Sequence, residues 1–187
     1  MDKIKEFEDL FVKSIITKNR MTGVGVLTRE EAISYGATGC TGRAAGWACD
    51  VRKRHPYALY GEVDFKEVLH THGDSYDRVL MRIDEIKQAV HIIRQLIDNI
   101  PAGEYKQKTK PIIKLPEGRF YAAVEGSRGE FGVFIESHGD KMPYRLKFRP
   151  MGVPLIAAAQ KIMKGCKIAD LITIGASLDY VIPDIDR

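Results

Sequence analysis

Apolar positions along the chain fall into three regimes. Over residues 3–18, Ile4, Phe7, Leu10, Phe11, Ser14 and Ile15 recur at spacings of three and four between Lys and Glu. That pattern predicts an amphipathic helix. Over 75–100, Tyr76, Val79, Ile83, Ile86, Val90, Ile93, Ile97 and Ile100 alternate the same spacings without a break. This is a bundle seam, on a helix of roughly 39 Å at 1.5 Å per residue. Asp74 stands where an N-cap belongs, and Pro101 with Gly103 supply the stop. His91 falls off the seam among charged residues and reads as a surface histidine.

After a polar linker at 104–117, with Pro111 and Pro116, the period changes to two. Segments 119–125, 131–137 and 144–149 read as strands, joined by Ser127-Arg128-Gly129 and His138-Gly139-Asp140-Lys141. A helix follows at 154–163, then an apolar run at 168–174. The expected class is α+β: a helical part over 1–103, and a small antiparallel sheet with a C-terminal helix and tail over 104–187, together one incomplete domain.

Between the two long helical patterns lie shorter signals. Thr28-Arg29-Glu30-Glu31 is a capping box, and the helix it opens ends at Gly36. Residues 36–46 carry four glycines and little bulk, which predicts a loop whose backbone closely approaches another part of the fold.

Composition narrows the classes. The chain has 187 residues, 44% hydrophobic and 29% charged, which excludes a disordered chain. A formal charge of +4 without a basic stripe argues against nucleic-acid binding. Three cysteines, Cys40, Cys49 and Cys166, form no CxxC pair, so neither a disulfide framework nor a thiol enzyme is expected. No apolar stretch approaches the ~20 residues of a membrane span. Gly23-x-Gly25 lacks the third glycine of a nucleotide fingerprint. His70, His72, Asp74 and Asp77 cluster before the long helix, where a cap neighbourhood explains them better than a metal site; no bound metal is expected. Asp179 lies among Leu178, Tyr180, Val181 and Ile182, so it is either an ion-paired turn residue or a proton-handling carboxylate in an apolar cleft.

Several segments, in order, resemble the large, quinone-module subunit of respiratory complex I, the 49-kDa or D subunit of NADH:quinone oxidoreductase. They are Asn19-Arg20 with Val24-Gly25-Val26; Gly39, Arg43, Gly46, Asp50, Arg52 and Lys53, then Pro56-Tyr57; Gly73-Asp74-Ser75-Tyr76-Asp77-Arg78; Glu125, Arg128-Gly129-Glu130 and Gly132; Pro143-Tyr144-Arg145-Leu146-Lys147; and Ser177-Leu178-Asp179, Val181 and Asp184-Ile185-Asp186-Arg187. The resemblance covers almost the whole chain. It departs where the family usually has proline at Cys40 and Ser127, often histidine at Leu155, and Glu preceded by Gly at Asp184 and Pro183.

The family is related to nickel–iron hydrogenase large subunits, which end in Asp-Pro-Cys-x-x-Cys. Here the aspartate is Asp179, and Val181 and Asp184 stand at the cysteine positions, so the thiolates of a nickel–iron site are missing. The resemblance implies a hydrogenase-large-subunit-like fold and a role in the quinone cleft beside a terminal iron–sulfur cluster held by a neighbouring subunit. Asp179, Val181 and Asp184 are its cleft positions. Arg43, Asp74, Asp77, Arg78, Arg128 and Glu130 are structural or docking positions.

No cofactor is expected on the chain itself. Quinone is the implied substrate, and the implied partners are the terminal-cluster subunit, a 30-kDa-type subunit and the membrane-arm quinone-channel subunit. The implied location is peripheral, on the cytoplasmic side of a bacterial inner membrane. Activity, including ion translocation, is expected of the complex and not of the chain alone. Met1 followed directly by a mid-family helix suggests a fragment or a split subunit. A deazaflavin- or ferredoxin-linked relative, an energy-converting hydrogenase subunit and a purely structural docking module are the alternatives.

Overall fold

A computed structural model describes residues 2–106, 108 and 114–186. Met1, Pro111 of the linker and the terminal Arg187 lie outside the described residues.

The elements in chain order are α1 (Asp2–Phe7), a π-helical turn (Glu8–Val12), α2 (Ile15–Met21), α3 (Arg29–Tyr35), α4 (Gly39–Ala44), α5 (Val51–Arg54), α6 (Ser75–Ile97), β1 (Gly118–Gly126), β2 (Gly129–Ser137), β3 (Arg145–Arg149), α7 (Gly152–Ile162), α8 (Ile168–Leu178) and α9 (Ile182–Ile185). The class is mixed helix and antiparallel sheet, as the change of period predicts.

The first pattern does not give one helix. The 3–18 segment passes into π geometry and breaks at Ser14, whose ψ is 132°. The break lets Val12 and Thr17 turn inward, and the predicted apolar face, Phe7, Leu10, Phe11 and Ile15, stays exposed.

The long helix α6 is the axis of the molecule. The Asp74 carboxylate accepts from Asp77 N–H at 2.8 Å and from Gly23 N–H at 2.7 Å, so one side chain starts the helix and ties the 22–26 turn to it. The helix ends at Ile97, earlier than expected, ahead of Pro101, which disfavours helical geometry at the residue before it. Its seam is buried at Ile83 but exposed at Ile86, Ile93 and Ile97. Met81 and Ile92, off the seam, are buried instead. His91 is exposed, as expected.

The Thr28 capping box forms, with both reciprocal bonds, and α3 closes on Gly36 in the left-handed region. The glycine-rich 36–46 segment is not all loop; it contains α4. The close approach predicted there is real. A Cβ on Gly39 would collide with the backbone of Gly129, and one on Gly129 with Thr38. The sheet is a meander in the order β1-β2-β3, and its two-residue turn Ser127-Arg128, between Gly126 and Gly129, is thereby pressed onto α4.

The main apolar core takes Leu27, Ala32, Ala37 and Ala45 from the first part of the chain and Leu155, Ala158, Ile162, Ile174 and Leu178 from α7 and α8. Helix α8 packs on α6, which carries the C-terminal segment back to the long helix.

Candidate functional site

Arg43 projects from α4 and is 2% exposed. Its Nη1 donates to Asp50 Oδ2 at 2.7 Å. Its Nη2 lies 3.5 Å from both Glu85 Oε1 of α6 and Glu125 Oε1 of β1. Asp50 caps α5 by accepting from Arg52 N–H at 2.9 Å. The Arg52 side chain folds back on that carboxylate at 2.6 Å and reaches Glu85 Oε2 at 2.9 Å. Glu125 Oε2 accepts from Val51 N–H at 3.1 Å. Two guanidinium groups thus face three carboxylates from four elements.

Three buried atoms of this group have no hydrogen-bond partner among the described residues: Arg43 Nε, Glu85 Oε1 and Glu125 Oε1. The 3.5 Å separations are close enough for ion pairing but too long for aligned hydrogen bonds. Burial pushes the Glu125 carboxyl up to about 7, against the pull of Arg43. At neutral pH Glu125 is therefore divided between its two forms. Its contact with Arg43 is an ion pair in one and a charge–dipole contact in the other. Burial disfavours charge on Arg43, but Glu85 and Glu125 outweigh it and the guanidinium stays ionised. Burial raises both Cys40 and Cys49, the latter to about 12, so neither is a reactive thiolate.

Arg43, Arg52, Glu85 and Glu125 of this group line a cleft of about 350 Å³ together with Arg82, Ile86 and Asp179. The same three residues also border a groove of about 520 Å³ walled by Phe7, Phe11, Val79, Ile83 and Ala176. A cleft lined by several charged side chains and a more apolar groove therefore meet at Asp179.

Asp179 ends α8 in the left-handed region, at φ 57°, where its short polar side chain is tolerated. Arg128 Nε donates to its carbonyl oxygen and Arg128 Nη2 to Oδ1, the latter at 3.2 Å. Arg82 Nε stands 3.9 Å from Oδ2. The side chain meets two guanidinium groups, not the apolar surroundings that its sequence neighbours suggest, because the reversal at α8 turns it away from Tyr180 and Ile182.

The other expected cleft positions lie elsewhere. Val181 is half-buried just before α9. Asp184 accepts from Gly152 N–H at 2.6 Å and closes the start of α7. Neither lines the cleft.

Arg78 is fully buried. It donates to Ser177 Oγ at 3.0 Å, Gly73 O at 2.8 Å and Gly25 O at 2.9 Å, joining α6, the 22–26 turn and α8. Asp77 accepts from His72 N–H at 2.8 Å, which accounts for the His-rich cluster as a cap. Among the described residues no group of three His, Cys, Asp or Glu is arranged to hold a metal ion. Glu130 accepts from the Tyr121 hydroxyl at 2.6 Å, outside the cleft.

Glu85 is the site residue that sequence reading missed; Arg52 and Glu125 appear in it only as matches to a family. A signal exists. Arg78, Arg82, Glu85 and Ala89 recur at four, three and four on α6, a second stripe beside the apolar seam.

Known proteins resemble the chain along its whole length. The family described as "Respiratory-chain NADH dehydrogenase, 49 Kd subunit" matches residues 1–114 and 107–187. The chain is similar to the C/D subunit of NADH-quinone oxidoreductase from Phocaeicola vulgatus, with 62% identity over 98% of the chain and 36% of that relative. It is also similar to the D subunit of NADH-quinone oxidoreductase from Desulfotalea psychrophila, with 42% identity over 98% of the chain and 50% of that relative. A solved chain from the membrane-bound sulfane sulfur reductase, an archaeal respiratory membrane complex, superposes with a TM-score of 0.92 at 38% identity, covering 100% of this chain and 52% of that one. The chain thus spans about a third of the C/D relatives and about half of the D relatives.

Proposed function

The chain belongs to the family of the 49-kDa subunit of respiratory-chain NADH dehydrogenase, and from that premise we propose that it forms one wall of a quinone-reducing cleft in a multi-subunit oxidoreductase. The observation that carries this reading is the join at Asp179, where a pocket lined by several charged side chains and a more apolar groove share Arg82, Ile86 and Asp179. A quinone has the same division, a polar headgroup on an apolar tail, and such sites combine apolar walls with a few convergent polar groups.

In this reading electrons arrive from an iron–sulfur cluster in a neighbouring subunit, and the chain contributes shape and charge. Its partners are that terminal-cluster subunit, a 30-kDa-type subunit and the membrane-arm subunit that leads quinone in from the bilayer. The complex as a whole carries the NADH:quinone chemistry and ion translocation, on the cytoplasmic side of a bacterial inner membrane. Among the described residues no helix is long and apolar enough to cross a membrane; in this reading attachment runs through those partners.

Ile86 borders both halves of the cleft, and Ile86→Phe narrows the join. Measured per assembled complex, this variant is expected to raise the KM for quinone and alter sensitivity to quinone-site inhibitors, and Asp179→Asn to lower turnover. If both variants lower only the amount of complex, with turnover per complex unchanged, the chain is a docking module. Arg128's hold on Asp179 favours that second reading, in which Asp179 orders the C-terminal segment. Likeness to a sulfane sulfur reductase makes the acceptor a second variable. The assay therefore offers quinone and a sulfane-sulfur acceptor in parallel.

A further inference from the structure

Beside the cleft, three carboxylates, Asp50, Glu85 and Glu125, meet only two guanidinium groups within ion-pair distance, Arg43 and Arg52. Asp50 is bonded by both Arg43 and Arg52, and Glu85 by Arg52 on Oε2. Glu85 Oε1, like Glu125 Oε1, is buried without a hydrogen-bond partner among the described residues. Glu125 alone of the three accepts no hydrogen bond from a guanidinium. Glu125 is left with a single backbone donor and a buried oxygen that has no hydrogen-bond partner among the described residues. We propose that Glu125 is a proton-holding group that delivers its proton through water in the cleft to the reduced acceptor beside Asp179. This rests on the quinone reading above.

Geometry supports the assignment. Glu125 lines the cleft; Val51 N–H holds its Oε2, and its Oε1, buried and without a hydrogen-bond partner among the described residues, lies 3.5 Å from Arg43 Nη2. The surrounding groups are Cys40 and Arg43 from α4, Cys49 and Asp50 before α5, Arg52 from α5, Tyr57 after it, and Arg82 and Glu85 from α6. Tyr57 accepts from Glu125 N–H at 3.1 Å and so fixes the backbone and not the carboxyl. The cleft, about 350 Å³ and lined by the charged groups of Arg43, Arg52, Arg82, Glu85 and Asp179 among apolar surface, has room for a short water chain. Burial holds the carboxyl at about 7, which matches donor to operating pH. When the proton leaves Oε1, Arg43 Nη2, 3.5 Å away, balances the new charge. The electrons of the reaction come from outside this chain; Glu125 supplies only a proton, and is reloaded from solvent along the same water.

Two measurements test this. Carboxyl-carbon NMR of the full chain labelled at glutamate Cδ should show one resonance titrating near neutrality, absent in Glu125→Gln. In Glu85→Gln that resonance should titrate at lower pH, because a neighbouring negative charge is gone. A Glu125 resonance that titrates in the ordinary carboxylate range overturns the proposal. In the assembled complex, Glu125→Gln should lower quinone turnover per complex at least tenfold at pH 6 and flatten the fall of turnover through pH 7. Glu125→Asp should restore part of both. A Gln variant that assembles normally with unchanged turnover and pH profile overturns proton delivery. A wild-type complex that reduces no quinone removes the reading beneath the proposal, and delivery with it, while the NMR titration still reports separately on the proton at Glu125.

Discussion

Arg43 and Arg78 are both buried, yet they have opposite surroundings. Arg43 faces three carboxylates and stays firmly charged. Arg78 donates to neutral acceptors, and burial lowers it to about 10, so it remains a cation with no carboxylate in contact among the described residues. Its worth is geometric: Ser177 lies two residues before Asp179, so Arg78 sets where α8 ends. Arg78→Met leaves the Gly25 carbonyl without its donor and removes the bonds to Gly73 O and Ser177 Oγ, and should cost about 3 kcal/mol, measured by urea unfolding. A variant as stable as the parent would remove this role. Glu125 makes the opposite contribution. Its pKa is raised from 4.5 to about 7, so the folded state prefers the proton more than the unfolded state does. That preference costs nothing below pH 4.5. It grows as pH rises, and above pH 7 it destabilises the fold by about 3 kcal/mol. Glu125→Gln should therefore gain on the parent between pH 5 and pH 8 by up to that amount. A pH-independent difference between their unfolding midpoints would count against a buried neutral carboxyl.

The short elements are held by their ends more than by their lengths. Helix α4 has six residues and could not persist alone. It is positioned because Gly39 lets the β1–β2 turn touch its backbone. Gly39 is also at φ 69°, which a side chain rarely adopts. Gly39→Ala should therefore separate the turn from α4 and displace Arg128 from Asp179, with loss of more than about 2 kcal/mol of stability in thermal unfolding. At the start of α3, Thr28→Ala removes one arm of the capping box and should cost about 1 kcal/mol. The contrast between the two losses separates a local cap from a contact that joins distant parts of the chain. The amphipathic period over 3–18 was legible, but its break at Ser14 was not. The period records which residues are apolar, and the break depends on α6 and α8, against which Val12, Thr17 and their neighbours turn.

At the scale of the whole molecule, the most informative feature is apolar surface without cover. Phe7, Leu10 and Ile15 near the start, Ile86, Ile93 and Ile97 on α6, and Phe120 and Tyr121 on the sheet are all exposed. Surfaces of this kind mark association. The relatives are two to three times longer than this chain, which is consistent with cover by further protein. The chain purified alone should self-associate in sedimentation experiments. Ile93→Glu with Ile97→Glu should shift it towards monomer without loss of helix signal, and a parent chain that is monomeric at high concentration would contradict this.

The sequence by itself determined the α+β class, the three strands and their turns, the capping box at Thr28, the Asp74 cap and the long helix, because these depend on local period, caps and turn residues. It also carried the family, through motifs spread over the chain. The core connecting α3 with α7 and α8, and the cleft itself, were decided by tertiary structure. Asp50, Glu85 and Glu125 lie 35 and 40 residues apart along the chain and meet only because α4, α5, α6 and β1 converge. Asp179 illustrates the same limit. Its neighbours in sequence are apolar, but the left-handed turn at the end of α8 points its carboxylate at Arg128 and Arg82. Local pattern reports what a residue stands beside in the chain, while its charge environment is set by whatever the fold folds over it.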